Sequence, residues 1–325
     1  MTAVTGATGH LGQALVHELD ERGETISVLL RSQRQRPLIP ASAVVHEGDI
    51  TDTASLVRAF TGADTVYHTA ALISIVPKHS DALHRVNVAG TENVIRACRE
   101  AGVRRLVYTS SIEALGIGVP GLTVTEGTSF DPDHAIMEYG RTKALASIMV
   151  QNVRDFETII VSPTAIIGPF DRRPSALGRM IYDAMSRKLI GYPDGGFDFV
   201  DVRDVAVLHI LAAERARAGE KYIAAGTPCS VHELMLLIER LSGVRRPMLR
   251  MSASMARVIA RFMELWYAVS HTDPMFTVKA VDILQMNPSV SSEKAKRELG
   301  YTPRPLETTV ADTIAWFRRT LDKKK

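Results

Sequence analysis

The sequence predicts an α/β fold, with a doubly wound parallel sheet and a smaller, mainly helical region after it. Three observations support this prediction. Short apolar segments alternate with longer segments of helical spacing through the first half of the chain. The short segments are apolar throughout, as strands covered on both faces are. A glycine-rich turn directly follows the first of them, as expected where a strand passes into a helix.

Six segments of the first half are predicted strands, because they are rich in Val, Ile and Thr and mostly too short for helices. They cover residues 2–5, 25–30, 43–46, 64–70, 105–110 and 158–164. Between them, apolar residues at helical spacing predict helices over residues 11–23, 53–60, 82–102 and 137–153. Gly23 and Gly102 supply stops for two of these helices. Repeated strand–helix–strand units predict a parallel sheet with helices on both faces.

The pattern changes after Pro163, where four prolines and the "DGG" at 194–196 break the chain into short pieces. Helical spacing returns over residues 203–219, 231–243 and 255–269, and residues 291–320 read as two helices separated by a proline-rich turn. We therefore expect a sheet domain at 1–165, to which 198–215 returns. Residues 166–325 are expected to form a mainly helical, substrate-binding region.

Composition excludes several classes of function. The 325 residues carry a net charge of +3 from 39 basic and 36 acidic side chains, too balanced for a nucleic-acid-binding face. Two cysteines, Cys98 and Cys229, cannot form a disulfide framework, so we expect a reducing, cytoplasmic setting and a core thiol at Cys98. The opening "TAVTGATG" is strand-like, so no leader peptide is expected. No apolar run predicts a membrane span, and the scattered histidines predict no metal site.

The turn after the first strand carries a phosphate-binding pattern. Gly6, Gly9 and Gly12 form G-x-x-G-x-x-G at a strand-to-helix junction, with Thr8, His10 and Leu11 between them. Glycines there allow a tight turn and a close approach of backbone N–H groups to a pyrophosphate. The helix amino terminus adds unpaired N–H groups and a favourable dipole. The turn therefore predicts a bound dinucleotide.

The end of the second strand distinguishes the two pyridine nucleotides. An NAD site usually has an acidic residue there for the ribose hydroxyls, whereas an arginine accommodates the 2′-phosphate of NADP. Here Leu30 is followed by Arg31, with Arg34 and Arg36 close behind. We therefore expect NADP(H), with NAD(H) as the alternative; Arg31 as a plain surface residue is the competing interpretation.

With these features, the sequence resembles the extended branch of the short-chain dehydrogenase/reductase superfamily. The branch includes dihydroflavonol reductases, 3β-hydroxysteroid dehydrogenases and nucleotide-sugar epimerases. The resemblance covers essentially the whole chain, and its motifs fall in the order of the family. They are "TGATGHLG", "GDITD", "HTAA", "NVAGTENV", "VYTSS", "YGRTK", "SPTAIIGP", "FVDVRDVA" and the C-terminal segment from "SSEKAKRELGY" onward. It implies a Rossmann fold, NAD(P)-dependent oxidoreductase or epimerase-like activity, and commonly a homodimer.

The resemblance also implies roles for single residues. The cofactor contacts that it assigns are Asp49 and Ile50 for the adenine, Ala70 and Ala71 along the cofactor, Asn87 near the nicotinamide half, Ser110, and Pro163 beside the nicotinamide. Its catalytic residues match Ser111, Tyr139 and Lys143, and the last two would also contact the cofactor. Glu113 departs from the pattern, since many relatives have a small or neutral residue there. We interpret Glu113 as a solvated turn residue, the alternative being one that points into the pocket.

The chemistry of these residue types agrees with the roles. Tyr139 and Lys143 are four apart in a predicted helix, so they share one face. A nearby ammonium favours the phenolate, so we expect Lys143 to lower the pKa of Tyr139. Tyr139 would then donate a proton in reduction and accept one in oxidation, while Ser111 orients the substrate oxygen.

Apolar segments around the expected pocket favour a hydrophobic ketone or secondary alcohol as substrate. "LISIVP" (72–77) borders the site, and Met251, Met255, Val258, Phe262 and Val269 form a stripe beside Arg257 and Arg261. We interpret the stripe as packing, with a lid or a membrane-surface contact as alternatives. A nucleotide-sugar epimerase or dehydratase with retained cofactor remains open, with Arg172, Arg173, Arg179 and Arg203 available for a diphosphate. A non-catalytic NADP-sensing regulator is the third alternative.

Overall fold

The structure is a computed structural model that describes residues 1–74, 79–116, 123–270, 277–286 and 288–321, with the backbone alone for 267–270. The strands are β1 (Thr2–Thr5), β2 (Ile26–Leu30), β3 (Val44–Glu47), β4 (Thr65–His68), β5 (Arg105–Thr109), β6 (Thr123–Val124), β7 (Glu157–Pro163), β8 (Ala165–Ile167), β9 (Gly191–Pro193), β10 (Gly196–Asp201), β11 (Lys221–Ala224), β12 (Thr227–Ser230), β13 (Leu249–Met251) and β14 (Ser289–Val290).

The helices are α1 (His10–Glu21), α2 (Thr53–Phe60), α3 (Ser80–Leu83), α4 (Gly90–Glu100), α5 (Glu138–Gln151), α6 (Ala176–Met185), α7 (Val202–Arg215), α8 (Val231–Ser242), α9 (Ala253–Ser270), α10 (Val278–Met286), α11 (Glu293–Leu299) and α12 (Leu306–Thr320). Two 3-10 helices (Gln33–Leu38 and Ile112–Leu115) and a π-helical segment (His84–Ala89) complete the helical elements described here.

A seven-stranded sheet in the order β11-β7-β5-β4-β1-β2-β3 forms the centre of the molecule. Every pairing in it is parallel, as the uniformly apolar strands predicted. Helices α1 and α7 bury Leu15 and Val205 in one core. Helices α2, α4 and α5 bury Leu56, Val94 and Ala146 in a second core. The predicted doubly wound fold is therefore confirmed.

The two glycine stops and the core thiol also agree with the prediction. Gly23 and Gly102 follow the ends of α1 and α4 with φ of 74° and 69°, the left-handed region that glycine adopts without steric cost. Cys98 is fully buried on α4, where burial raises the pKa of its thiol. A raised pKa leaves the thiol protonated and unreactive.

The second half of the chain adds a smaller layer beside the sheet. A three-stranded sheet, β12-β10-β8, packs with α6, α8 and α12 around Ile181, Leu234 and Phe317. Helices α9 and α10 pack on each other around Ala256, Ala260 and Val281. None of the helices in the described ranges is long and apolar enough to cross a membrane.

Besides the short strands of the second half and helices α6 and α10, which were not predicted, two features around the central sheet differ from the predicted pattern. Strand β11 lies in the second half of the chain yet extends the central sheet beside β7. The helix predicted over 82–102 is divided, because the segment His84–Ala89 is π-helical between α3 and α4. Such π-helical turns are rare and often lie at functional sites.

Candidate functional site

The glycine-rich turn is built for close backbone approach. Gly6 has φ of 74°, and a Cβ there would lie 2.6 Å from the backbone nitrogen of Ala70. A Cβ on Gly12 would lie 2.0 Å from the carbonyl oxygen of Gly6. Helix α1 begins right after Gly9, and no side chain caps its amino terminus. Its free N–H groups fit the phosphates of a dinucleotide.

The other residues of the turn hold its shape. The carbonyl oxygen of Thr8 accepts a hydrogen bond from Gln13 Nε2 at 3.0 Å. His10 Nε2 lies 2.9 Å from the carbonyl oxygen of Pro169, and desolvation lowers the pKa of its ring, so His10 is neutral. Leu11 is buried in the core. In this turn, the hydrogen-bond donors available to a cofactor are therefore backbone N–H groups. The side chains of the turn hold that backbone in position.

The arginines after β2 divide into two groups. Arg36 donates to the carbonyl oxygens of Ile39 and Pro40 at 3.0 and 2.8 Å, so it holds the local turn. Arg31 and Arg34 are exposed, and no ion pair engages their side chains within the described part of the chain. Gln35 donates to Thr8 Oγ1 at 3.3 Å and thereby ties this segment to the glycine-rich turn. Sequence reasoning missed Gln35.

The segment after β3 carries the predicted adenine contacts. Asp49 Oδ1 accepts hydrogen bonds from the N–H and the hydroxyl of Thr51 at 2.9 and 2.8 Å. The carbonyl oxygen of Ile50 accepts from Asn93 at 3.1 Å, and the Ile50 side chain is buried against Gly90. These contacts fix both residues at the carboxyl edge of the sheet.

Asn87 holds the chain that leaves β4. Its Oδ1 accepts from the N–H of Leu72 at 2.8 Å, and its Nδ2 donates to the carbonyl oxygen of Leu72 at 3.0 Å. Nδ2 also lies 3.1 Å from Thr142 Oγ1 on α5. The buried amide thus connects α5 to the loop after Ala70 and Ala71. Of "LISIVP", residues 75–77 lie outside the described part, and Ile73 is largely exposed.

The two serines after β5 have different environments. Ser110 is buried, and its hydroxyl lies 2.6 Å from that of Ser147 on α5. Ser111 Oγ accepts the N–H of Glu113 at 3.2 Å and begins the short 3-10 helix. Pro163 ends β7 on the adjacent strand, opposite Ala224. Since all these strands are parallel, Ser111 and Pro163 lie at the same edge as the glycine-rich turn.

Tyr139 lies in the first turn of α5, next to Ser111. Burial raises the pKa of its phenol, the negative charge of Glu113 raises the pKa further, and a hydrogen bond with Ser111 opposes both effects. The expected lowering by Lys143 was wrong for this structure. The desolvation of the phenol outweighs any effect of the ammonium, whose own charge is destabilised by burial.

Lys143 lies beneath the strand ends, almost fully buried. Its Nζ donates to the hydroxyl of Tyr108 at 2.7 Å and to the carbonyl oxygen of Thr109. Desolvation lowers the pKa of Lys143 to about 7. An ammonium has three N–H donors, so beyond these two bonds Lys143 has one more donor, which could bind a ribose hydroxyl.

A buried polar network continues from Lys143 into the sheet, and sequence reasoning missed it. Tyr108 on β5 faces His68 on β4, with ring centroids 5.6 Å apart. The ring nitrogens of His68 lie 2.7 Å from Thr5 Oγ1 and 3.2 Å from Thr91 Oγ1. Desolvation, followed by the charge of Lys143, lowers the pKa of His68 to about 3. The sequence signal for this network was the polar aromatic side chains of His68 and Tyr108 within otherwise apolar strands.

Glu113 is half-buried and lies close enough to Tyr139 for its charge to act on the phenol. Desolvation raises the pKa of its carboxyl to about 7, and its charge acts on the phenol of Tyr139. The interpretation of Glu113 as a solvated turn residue was therefore wrong. A carboxyl that titrates near neutrality beside the phenol makes the site sensitive to pH.

Most of the second-half arginines that were considered as diphosphate ligands already have an ion-pair or hydrogen-bond partner in the protein. Arg203 pairs with Asp201 and Asp312, each at 2.7 Å, and Arg179 pairs with Asp183 at 2.7 Å. Arg172 Nε donates to Gln13 Oε1 at 3.1 Å. Across the described ranges, no group of three or more His, Cys, Asp or Glu residues is arranged to hold a metal ion.

Comparison with known proteins identifies the family. The model of the NAD dependent epimerase/dehydratase family matches residues 2–225. Sterol demethylase protein B of Methylococcus capsulatus is 36% identical over 323 residues, which cover 98% of each chain. A putative dihydroflavonol 4-reductase of Synechocystis sp. is 30% identical and covers 97% of this chain and 94% of its own.

The fold agrees with this result. The crystal structure of gox2253 is 34% identical in sequence and covers 98% of both chains with a TM-score of 0.85. The match to the family model extends from the glycine-rich turn through the site at the carboxyl edge to β11. The chain therefore belongs to the NAD-dependent epimerase/dehydratase family of extended short-chain dehydrogenase/reductases, and it is an enzyme of that type.

Proposed function

We propose that the protein is an NADP(H)-dependent reductase of a hydrophobic ketone or aldehyde, or a dehydrogenase of the corresponding secondary alcohol. One observation carries the proposal: Tyr139 lies next to Ser111, with the buried Lys143 on the same helix, at the carboxyl edge of the sheet. The glycine-rich turn lies at that same edge. The proposed proton donor Tyr139, the proposed ligand of the substrate oxygen Ser111 and the proposed cofactor site therefore lie at the edge where doubly wound sheets bind their ligands.

Ser111 and Tyr139 would have different roles in the proposed proton transfer. Ser111 would donate a hydrogen bond to the substrate oxygen and hold it beside Tyr139. Tyr139 would donate its phenolic proton to that oxygen in reduction and accept the proton in oxidation. The raised pKa of the phenol keeps Tyr139 in the protonated form that reduction requires. When bound, the nicotinamide supplies or accepts the hydride at the carbon of the same C–O bond.

The free arginines after β2 support NADP(H) as the cofactor. Arg31 and Arg34 are exposed, and the hydrogen bond from Gln35 to Thr8 holds their segment beside the glycine-rich turn. Leu30 lies where an NAD site would have an acidic residue. Under this proposal, Lys143 would hold the nicotinamide ribose, and Asp49 and Ile50 would border the adenine. Ala70, Ala71, Asn87, Ser110 and Pro163 would line the remaining cofactor surface.

The environment of the site supports a neutral, apolar substrate. Glu113 is negative above its pKa of about 7 and would repel an anionic group near Tyr139. The names of two relatives mention a sterol and a dihydroflavonol, ring compounds that carry no phosphate. A nucleotide-sugar epimerase or dehydratase with retained cofactor is the alternative. The engagement of Arg179 and Arg203 in ion pairs disfavours it, because a diphosphate would have to displace their carboxylates.

We also propose the division into a cofactor domain (1–165, with 198–215) and a substrate region (166–325). The homodimer and the cytoplasmic, reducing setting are further proposals that follow from the resemblance and the two unpaired cysteines. Because β11 extends the central sheet, the second half also contributes to the cofactor domain.

A cofactor-linked absorbance screen tests the proposed reaction. The panel contains steroid ketones, dihydroflavonols, simple aryl ketones and sugar nucleotides, each with NADPH and with NADH. We expect stoichiometric NADPH oxidation with at least one apolar ketone. Tyr139→Phe should lower kcat by roughly 10³-fold and leave NADPH affinity within about twofold. A sugar nucleotide converted without net NADPH oxidation, by protein purified with its cofactor, would establish the alternative.

A further inference from the structure

Helix α9 presents an apolar face to solvent. The exposed fractions of five of its side chains are 46% for Met255, 58% for Val258, 67% for Phe262, 62% for Leu265 and 68% for Trp266. Their spacing of three, four, three and one places them on one side of the helix. The interpretation of Met255, Val258 and Phe262 as packing residues was therefore wrong. Met251 is buried in β13, and the side chain of Val269 lies outside the described part.

Packing accounts for only the opposite side of α9. Ala256 and Ala260 are fully buried there against Val281 of α10. The helix is thus apolar on two sides, of which one is covered by the protein and one is not. A contiguous exposed apolar face of this kind marks an interaction surface.

Exposed apolar side chains also lie on the ladder of β9 and β13, and α9 begins two residues after β13 ends. Leu249 pairs with Gly191 in that ladder. Met248 and Ile190 precede these two residues, and their side chains are almost completely exposed. We call this set the apolar face: Ile190, Met248, Leu249, Met255, Val258, Phe262, Leu265 and Trp266.

Cations surround the apolar face. Arg187 and Lys188 precede Ile190. Leu249 on β13 pairs with Gly191 on β9, and Arg245 stands as far before Leu249 as Arg187 stands before Gly191. Arg261 borders the stripe on α9. In the part of the chain that the structure describes, none of these four pairs with a carboxylate. The neighbouring Arg246, Arg250 and Arg257 do pair, with Glu239, Asp194 and Asp282, so the margin as a whole is net positive.

We propose that the apolar face binds the surface of an anionic lipid bilayer, with α9 lying in the plane of the interface. An apolar stripe with tryptophan and flanking arginines is the pattern of interfacial helices. Unpaired cations at its margin attract anionic headgroups, and long arginine side chains reach them while their stems stay in the apolar layer. A second copy fits less well, since a symmetric contact through this face would bring two positive margins together.

The intrinsic tryptophan fluorescence of the protein can detect this membrane contact. Trp266 and Trp316 are its two tryptophans, and Trp316 is 8% exposed in the core. A blue shift of the emission on adding vesicles therefore reports Trp266 entering the bilayer. We expect this shift, and flotation of the full chain, with vesicles of phosphatidylglycerol and phosphatidylcholine. With pure phosphatidylcholine, binding should be at least ~10-fold weaker, and high salt should weaken the anionic binding.

Matched variants assign the effect to α9. Val258→Glu combined with Phe262→Glu should lower vesicle affinity at least ~10-fold. Val44→Glu is the control, because Val44 is a 49% exposed apolar residue on β3, the edge strand of the central sheet, and does not belong to the apolar face. Arg245→Glu with Arg261→Glu should abolish the preference for anionic lipid. Circular dichroism checks that each variant is folded.

Three results would overturn the proposal. They are no flotation with anionic vesicles, flotation unchanged in the Val258→Glu, Phe262→Glu variant, or an unshifted Trp266 emission. Sedimentation showing a dimer that the same variant dissociates, without vesicle binding by the parent protein, would assign the face to a second copy instead. The proposal does not depend on the proposed reaction, because none of these readouts involves NADPH or a ketone.

Discussion

The two ends of the proposed cofactor site differ in how their charged and polar groups are placed. At the nucleotide end, Arg31 is exposed, and Gly6 and Gly12 let neighbouring backbone segments pack closely around the turn. At the catalytic end, Lys143, Tyr108 and His68 are buried, and each of them has a hydrogen-bond partner. Burial moves the pKa of Lys143 down to about 7 and that of Glu113 up to about 7.

The two ends therefore differ in how strongly solvent affects their charges. An exposed arginine keeps its full charge and attracts a phosphate through solvent, where salt screens it. A buried ammonium interacts more strongly but becomes easy to deprotonate. The catalytic end should therefore respond to pH near neutrality, whereas the nucleotide end should respond to ionic strength. The following changes test that contrast.

Lys143→Met should have the largest effect. Loss of the ammonium should lower kcat by roughly 10²–10³-fold, because the nicotinamide ribose would lose the group proposed to hold it in position for hydride transfer. It should also change the pH dependence of unfolding. The folded-state pKa of about 7 lies below the ordinary 10.5, so between these values only the unfolded chain holds the proton, and stability rises with pH.

Urea unfolding of the cofactor-free protein measures this rise, which we expect to be roughly 2–4 kcal/mol between about pH 7 and pH 10. Lys143→Met should remove most of it. The matched control is Lys221→Met, since Lys221 is another lysine whose pKa burial lowers, and it bonds Thr128 away from the site. If Lys221→Met reduces kcat as much as Lys143→Met does, the assigned role of Lys143 is lost.

Arg31→Glu should shift cofactor preference by about 10²-fold toward NADH, measured as the ratio of kcat/KM for the two cofactors. The reason is that a carboxylate repels the 2′-phosphate and can accept hydrogen bonds from the ribose hydroxyls of NAD. Arg58→Glu on α2 changes the net charge equally at another exposed position. A preference that is unchanged in Arg31→Glu would exclude Arg31 from the phosphate site.

Glu113→Gln should have the smallest and most pH-dependent effect. Below its pKa of about 7, Glu113 is neutral like glutamine, so alcohol oxidation should be nearly unchanged at about pH 6. Above it, the negative charge opposes the phenolate, so the variant should oxidise alcohol about three- to tenfold faster at about pH 8.5. Glu138→Gln, which breaks only the pair with Arg141, is the control. A ratio of variant to parent rates that stays flat with pH would remove Glu113 from the site.

Local patterns predicted the central sheet because most of its strands are buried on both faces, the edge strand β3 being the exception. All six predicted strands are present, and the glycine-rich turn has the expected shape. Strand β11 was not predicted, since its four residues form a strand only through pairing with β7. The π-helical segment was also missed, because its residues have ordinary helical spacing.

The electrostatics of the site could not be read from spacing. Tyr139 and Lys143 do share a helix, but the direction of each pKa shift depends on desolvation by strands far away in sequence. The orientation of Glu113 depends on the 3-10 turn that Ser111 begins. Helix α9 shows the same limit, since the apolar stripe predicts a contact but does not indicate whether the protein itself covers it.

The most direct test of the account is a crystal structure of the protein with NADPH and an unreactive apolar alcohol or ketone analogue. We expect the pyrophosphate on the N–H groups at the start of α1 and the 2′-phosphate beside Arg31. The Tyr139 hydroxyl should lie within about 3 Å of the analogue's oxygen, on the side of the nicotinamide that faces Ser111. A cofactor bound away from the glycine-rich turn, or a Tyr139 hydroxyl directed away from the nicotinamide, would contradict the account.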